Sequence, residues 1–203
     1  FKRYELKFML TTQQYIQLKE LMKKYMQGDE FGKSTICNLY FDTPDYLLIR
    51  HSIEKPVYKE KLRLRSYGTP KNDSTVFAEL KKKYKSVVYK RRIGMSEQDA
   101  MKFLCERNPV KDTQITREID YFLDFYNNPK PTVYLSYERE AFISKTDSDF
   151  RMTFDRNILW RDYDLSLCEG VYGEPILKKN QVLLEVKTAA AIPMWLTMFL
   201  SEN

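Results

Sequence analysis

Residues 2–10 (KRYELKFML) alternate strictly, with Tyr4, Leu6 and Phe8 on one side and Arg3, Glu5 and Lys7 on the other. That is the period-two signature of a half-buried strand. Thr11 or Thr12 then caps a helix predicted to run through Met26, with Tyr15, Leu18, Met22 and Tyr25 on one stripe and Gly28 to stop it. Strands are predicted over 35–42 (TICNLYFD), ended by the turn at Thr43-Pro44, and over 57–67 (VYKEKLRLRSY). The loop GTPKNDS returns the chain as strands 75–85 and 86–93. Ser96 and Asp99 read as a capping box for a helix to about Arg107, and a second helix covers about Thr116 to Tyr126. Segments 134–143 and 150–158 flank SKTDSD as a hairpin, QVLLEVKT (181–188) is a further strand, and Pro193 opens a short terminal helix. Neither a repeat nor a linker interrupts the pattern, so residues 1–203 read as a single α+β domain.

Composition adds exclusions. One histidine, His51, removes His-rich metal sites and leaves at most one His-assisted nucleophile. Cys37, Cys105 and Cys168 are odd in number and form no C-x-x-C pair, which fits a reducing, cytoplasmic setting better than a disulfide framework. There is no Walker A, no G-x-G-x-x-G and no G-x-S-x-G, so nucleotide-loop, dinucleotide and hydrolase readings lack their signatures. The longest apolar run, Ala189 to Leu200, is broken by Pro193 and too short to span a bilayer. The chain begins at Phe1 rather than Met, as a fragment would. Its net charge of +6 calls for an anionic partner without naming one.

The informative feature is what occupies the polar side of each strand. Side chains at i and i+2 point the same way. One side therefore collects Arg3, Glu5 and Lys7; Lys61, Arg63 and Arg65; Glu79, Lys81, Lys83 and Lys85; Arg151, Thr153 and Asp155; Glu185 and Lys187; and Arg139. Eleven bases stand there with four acids. Polar faces of antiparallel strands ordinarily meet water, and lysines on edge strands oppose aggregation. Against that reading, the pattern recurs in at least five strands, Thr, Ser and Gln are scarce, and Arg63 and Arg65 at i, i+2 can hold oxygens of one oligo-anion. A strongly curved sheet with its charged face inward would gather these bases around an anion. Glu5, Glu79, Asp155 and Glu185 are either salt-bridge partners or oxygen ligands for Mg²⁺ or Mn²⁺. Basic residues interleaved with tyrosine, as in KKKYKSVVYKRR (81–92), also admit a nucleic-acid reading.

The series RYELKF, NLYFDTPDY, LRLRSYG, FAELKKK, VVYKRR, YEREAF, FRMTFD and LLEVKT, in this order, resembles the VTC-type polyphosphate polymerase domain, a branch of the triphosphate tunnel metalloenzymes related to CYTH proteins. The resemblance covers nearly the whole chain. It implies an eight-stranded antiparallel β tunnel with helices packed on the outside, binding nucleoside triphosphate through basic side chains. It also implies transfer of the terminal phosphoryl group of ATP onto a growing polyphosphate chain, with Mn²⁺ or Mg²⁺. By motif, phosphate contacts fall to Lys7, Arg50, Arg63, Arg65, Lys81, Lys90, Arg139 and Arg151. Arg63, Arg65, Lys81, Arg151 and Lys187 would serve the chemistry, and Glu185 would hold the metal. The expected partners are ATP and inorganic polyphosphate or pyrophosphate, with no nucleic acid.

Two departures bear on activity. Relatives follow the E-V-K strand with a helix and a S-K-[FY] segment, whereas this chain stops at Asn203, so the domain is expected to lack its C-terminal segment. Tunnel hydrolases begin with E-x-E-x-K, and Arg3 here gives R-x-E-x-K, which removes a metal ligand and favours the polymerase branch. The alternatives are a tripolyphosphate or nucleoside triphosphate hydrolase of the same fold, and a non-catalytic polyphosphate-binding module.

Overall fold

The alternation that opens the sequence becomes strand β1 (Tyr4–Thr11), and Thr11 caps helix α1 (Thr12–Met22) with its hydroxyl on the Gln14 amide. The computed structural model describes residues 4–54, 56–85, 87–108 and 111–202; Arg3 and Ser86, part of the predicted strands, lie outside these. The helix ends four residues before the predicted stop, because Met26 already begins β2 (Met26–Asp42), a strand twice as long as expected. Tyr25, which completes the predicted helical stripe, instead stacks flat on Trp195, ring centres 4.8 Å apart.

After β2 comes an unpredicted helix, α2 (Leu47–Glu54). The D-T-P turn builds it: Asp42 accepts from the Thr43, Leu48 and Ile49 amides at 2.8, 2.9 and 3.0 Å, and the Thr43 hydroxyl accepts from Leu47 at 2.9 Å. These oxygens satisfy amides that a helix start leaves unpaired. The remaining elements are β3 (Tyr58–Tyr67), β4 (Thr75–Tyr84), β5 (Val87–Ser96), α3 (Glu97–Glu106), α4 (Gln114–Phe125), β6 (Lys130–Ser144), β7 (Arg151–Arg161), β8 (Glu174–Pro175), β9 (Gln181–Thr188) and α5 (Met194–Glu202). Ser96 caps α3 through the Asp99 amide, and Thr113 caps α4 through Thr116.

Among the described residues the sheet order is β1-β9-β7-β6-β2-β3-β4-β5, with the short β8 beside β7. The fold class is the expected one, an antiparallel sheet with five helices. The chain divides into two compact units, one of residues 1–35, 137–158 and 175–203, the other of 36–136 and 159–174.

In the first unit, Leu10, Met152, Phe154, Val182, Leu184 and Val186 form one side of the strands and pack beneath Tyr15, Leu18 and Met22 of α1 and Leu196 and Phe199 of α5. In the second, Leu39, Phe41, Leu62, Leu64, Val76, Ala78 and Leu80 pack beneath α3 and α4 through Phe103, Leu104, Ile119, Phe122 and Leu123. The apolar sides of these strands thus face α1 and α5 in the first unit and α3 and α4 in the second, with Arg63, Glu79 and Glu185 on the other side.

The loop after β7 hangs on one residue. Arg161 is 1% exposed, lies flat between Tyr134 and Tyr172, and donates to the carbonyls of Asp164, Ser166, Gly170 and Tyr172. Gly173 closes this loop at φ +146°, where an added Cβ would sit 2.4 Å from the Trp160 carbonyl oxygen. Gly173→Ala is expected to cost at least about 1–3 kcal/mol and to lower the melting temperature by several degrees; an unchanged thermal transition would contradict this packing.

Candidate active site

Strand register decides which charges meet. In the second unit Asn38 and Tyr40 stand opposite Arg65 and Arg63, Arg63 opposite Glu79, and Lys61 opposite Lys81. Across the next pair, Glu79 stands opposite Arg92 and Lys81 opposite Lys90. Period two places Lys61, Arg63, Arg65, Lys81, Lys90 and Arg92 on the side away from the helices, around one carboxylate, Glu79.

Glu79 of β4 is 1% exposed and clasped from the two flanking strands, β3 and β5. Arg63 reaches Oε2 through Nη2 at 2.6 Å and Nε at 2.8 Å. Lys90 and Arg92 approach Oε1 at 2.7 and 3.5 Å, and Arg65 stands 4.0 Å from Oε2. Burial alone would raise this carboxyl's pKa, but the charge of Arg63, the hydrogen bond from Lys90 and the charge of Arg65 pull it down to about 2.

Further contacts fix the guanidinium groups. Arg63 donates to the Tyr40 hydroxyl at 3.1 Å and Arg65 to Asn38 Oδ1 at 2.9 Å, while Asn38 donates to the Leu135 carbonyl. Arg92 lies over the Phe77 ring at 3.6 Å. Burial would raise the Tyr40 phenol, but the charge and hydrogen bond of Arg63 and the charges of Arg65 and Lys61 bring it below its ordinary range. These cations are held in place without a ligand, which is how fixed charges stabilise a developing anion at little reorganisation cost.

The face in the first unit has another balance. Register sets Lys7 opposite Glu185, Glu5 opposite Lys187, and Arg151 and Thr153 opposite Lys187 and Glu185. Glu185 is buried and receives Lys187 at 2.7 Å and Lys7 at 3.6 Å. Burial would raise its pKa, but Lys187, Arg139 and Lys7 carry it below the usual carboxylate range. Arg139 grips both oxygens of the buried Asp155 at 2.7 Å. Burial would lower the Arg139 pKa, but the Asp155 hydrogen bond and the charges of Tyr137, Asp155 and Glu185 together raise it. Here Lys7, Lys187, Arg139 and Arg151 meet Glu5, Glu185 and Asp155, close to neutrality.

A cation fits this second face better than the first. Among the described residues no three acidic, His or Cys side chains gather as a metal site. Beside Glu185, however, the Thr153 hydroxyl is buried without a hydrogen-bond partner. Glu185 with Thr153 offers two oxygens, the partial set that Mg²⁺ or Mn²⁺ completes with substrate phosphates and water.

Arg63, Arg65, Lys81 and Lys90 therefore share one face, and Lys7, Arg139, Arg151, Glu185 and Lys187 share another. Arg50 stands apart on α2, paired with Asp45 at 2.6 Å. Glu79, one of the acids open to salt bridging or metal ligation, is the centre of an ion-pair cluster. Asn38, Tyr40 and Arg92 are site-face residues that the sequence reading passed over. The same i, i+2 alternation in NLYFD and YKRR marks them.

The VTC domain family matches residues 2–203 of the chain. The chain belongs to the VTC domain family. No curated protein matches the sequence. Two solved structures share the fold of this VTC domain. A Bacillus halodurans protein named for adenylate cyclase aligns with a TM-score of 0.57 and 15% identity, over 100% of this chain and 89% of its own. A Hippeastrum protein named for adenylyl cyclase, and described as having a dominant triphosphatase activity, aligns with a TM-score of 0.53 and 12% identity, over 100% and 85%. Among the described residues of the VTC domain no helix is long and apolar enough to cross a membrane.

Proposed function

We propose that this VTC domain is an ATP–polyphosphate phosphotransferase, moving the terminal phosphoryl group of ATP onto the end of an inorganic polyphosphate chain. The observation that carries the reading is the second unit's strand face, where six cations surround one carboxylate. Like charges directly opposite one another in a sheet are unfavourable, as Lys61, Lys81 and Lys90 are here. A bound polyanion relieves that repulsion. The membership in the VTC family and the triphosphatase among the proteins of like fold support a triphosphate as the anion.

Phosphoryl transfer asks little covalent chemistry of a protein, since its transition state is loose and catalysis is mostly positioning and charge stabilisation. Arg63 and Arg65 hold phosphate oxygens with planar forks, and Lys81 and Lys90 add point charges. In the first unit, Lys7, Arg139, Arg151 and Lys187 supply further cations. Glu185, aided by Thr153, would hold a divalent metal. Such a metal neutralises phosphate oxygens.

A transferase also suits the carboxylates. Glu5, Glu185 and Asp155 are all ion-paired, and the Glu185 carboxyl is held below the usual carboxylate range, which makes it a weaker base for activating water. The end of a phosphate chain is already ionised and needs no base. The test is product analysis after incubation with ATP and Mn²⁺. Long phosphate polymer is the expected product; free phosphate as the dominant product would make the domain a hydrolase, and no turnover would leave a polyphosphate-binding module.

A further inference from the structure

A second cluster of charge lies in the first unit, on the helix-bearing side of its strands. Glu140 of β6 is buried there, and four groups converge on its carboxylate. Lys19 of α1 donates to Oε2 at 2.7 Å, and Tyr15 of α1 and Arg156 of β7 donate to Oε1 at 3.0 and 2.9 Å. Lys33 of β2 stands 3.5 Å from the same Oε1.

One cation neutralises one carboxylate, and here three gather from three elements. Lys19 is partly buried, its ammonium 4.2 Å from the centre of the Phe142 ring. Lys33 is not, since its side chain is 76% exposed. Lys33 and Arg156 border a cavity of about 160 Å³ that Thr35 also lines, room for one tetrahedral oxyanion. Glu138 faces this cavity too, and its carboxylate is engaged by the Asn157 amide at 2.9 Å. Alternation along β6 puts Glu138 and Glu140 on the opposite side of the strand from Arg139, away from the face that carries Glu185.

We propose that this cavity is a second anion site, which takes one tetrahedral oxyanion of the phosphate class on Lys33, Arg156 and Thr35. The guanidinium of Arg156 can present paired N–H groups to two oxygens, which spherical chloride cannot use. Lys33 is the mobile point charge that closes on the ion, and the Thr35 hydroxyl donates a neutral hydrogen bond. Glu140 also lines the cavity, and its bonds to Arg156 and Lys19 position both. Its three ligands are not among the residues assigned to the triphosphate, and Arg139, which is, borders the same cavity. Phosphate chemistry has two sources here, free orthophosphate and the terminal group of a phosphate chain.

The experiment is calorimetric titration of the chain carrying Arg63→Ala and Arg65→Ala, with orthophosphate and with tripolyphosphate. Orthophosphate is expected to bind this variant, and adding Lys33→Glu is expected to weaken that binding about tenfold or more, the worth of one charge-assisted contact. Lys33→Glu alone is expected to leave the tighter tripolyphosphate binding of the wild-type strand face unchanged. Tighter binding of tripolyphosphate than of orthophosphate by the double variant identifies a chain end as the ligand, and the reverse identifies the free ion. Should the double variant not fold, orthophosphate titration of the wild type and of Lys33→Glu serves, with loss of one binding event expected. Loss of all phosphate binding in a folded double variant, or binding indifferent to Lys33→Glu, would overturn the second site.

Discussion

Glu79→Gln is expected to cost about 3–5 kcal/mol of stability at neutral pH, the usual penalty for removing one partner of a buried ion pair. Arg63, Arg65, Lys90 and Arg92 would then face one another without their shared counter-charge. The pH dependence follows with a definite sign. Glu79 is held at about 2 in the folded chain, against an ordinary value of 4.5. Its ionisation therefore stabilises the fold fully above about pH 4.5 and is lost as pH falls towards 2. In denaturant melts, the gap between wild type and Glu79→Gln should be largest at neutral pH and close through that window. Tripolyphosphate should offset much of the defect, because it supplies the missing negative charge. A variant as stable as wild type at neutral pH without phosphate would show that Glu79 is not the counter-ion of this face.

Glu185→Gln should act on turnover instead. The change keeps the shape of the side chain and removes one charge. Mutating the outer-shell partners of metal ligands typically costs 10–100-fold, so loss of the ligand itself should cost at least about a hundredfold in metal-dependent turnover. The fold should persist, and triphosphate binding should hold or tighten, since the loss of a negative charge turns a nearly neutral face more cationic. Unchanged turnover at saturating Mn²⁺ would place the metal elsewhere.

The sequence carried the strands and their faces because period two is rigid: once KLRLRSY is a strand, Arg63 and Arg65 must lie opposite Leu62 and Leu64. It carried less of β2, whose first half (MQGDEFGKS) has no alternation and is placed by its neighbours rather than by its own side chains. Helix α2 buries little beyond Leu48, so its apolar stripe is faint, although the Asp42-Thr43-Pro44 cap was there to be read. At the site, the cations were legible and their partners were not. Glu79 is an ion-pair centre only because register sets it between Arg63 and Arg92, and register is not written in either strand alone. Arg50 came by resemblance of position, and its place on a helix follows from the cap that the strand pattern did not show.

Melting of the chain with phosphate ligands tests most directly whether the cationic strand face of the second unit is a phosphate-chain site. A ligand that binds only the folded chain at a hundred times its Kd adds about 2.7 kcal/mol, or about 5–10 °C for a domain of this size. Tripolyphosphate should give a shift of this order, exceed orthophosphate at equal concentration, lose effect as salt rises, and lose most of it in Arg63→Ala/Arg65→Ala. Duplex DNA should do far less, because the largely buried guanidinium groups of Arg63 and Arg65 are reached more readily by a thin phosphate chain than by the backbone of a stiff duplex. No shift with tripolyphosphate, or an equal or larger one with duplex DNA, would contradict the account.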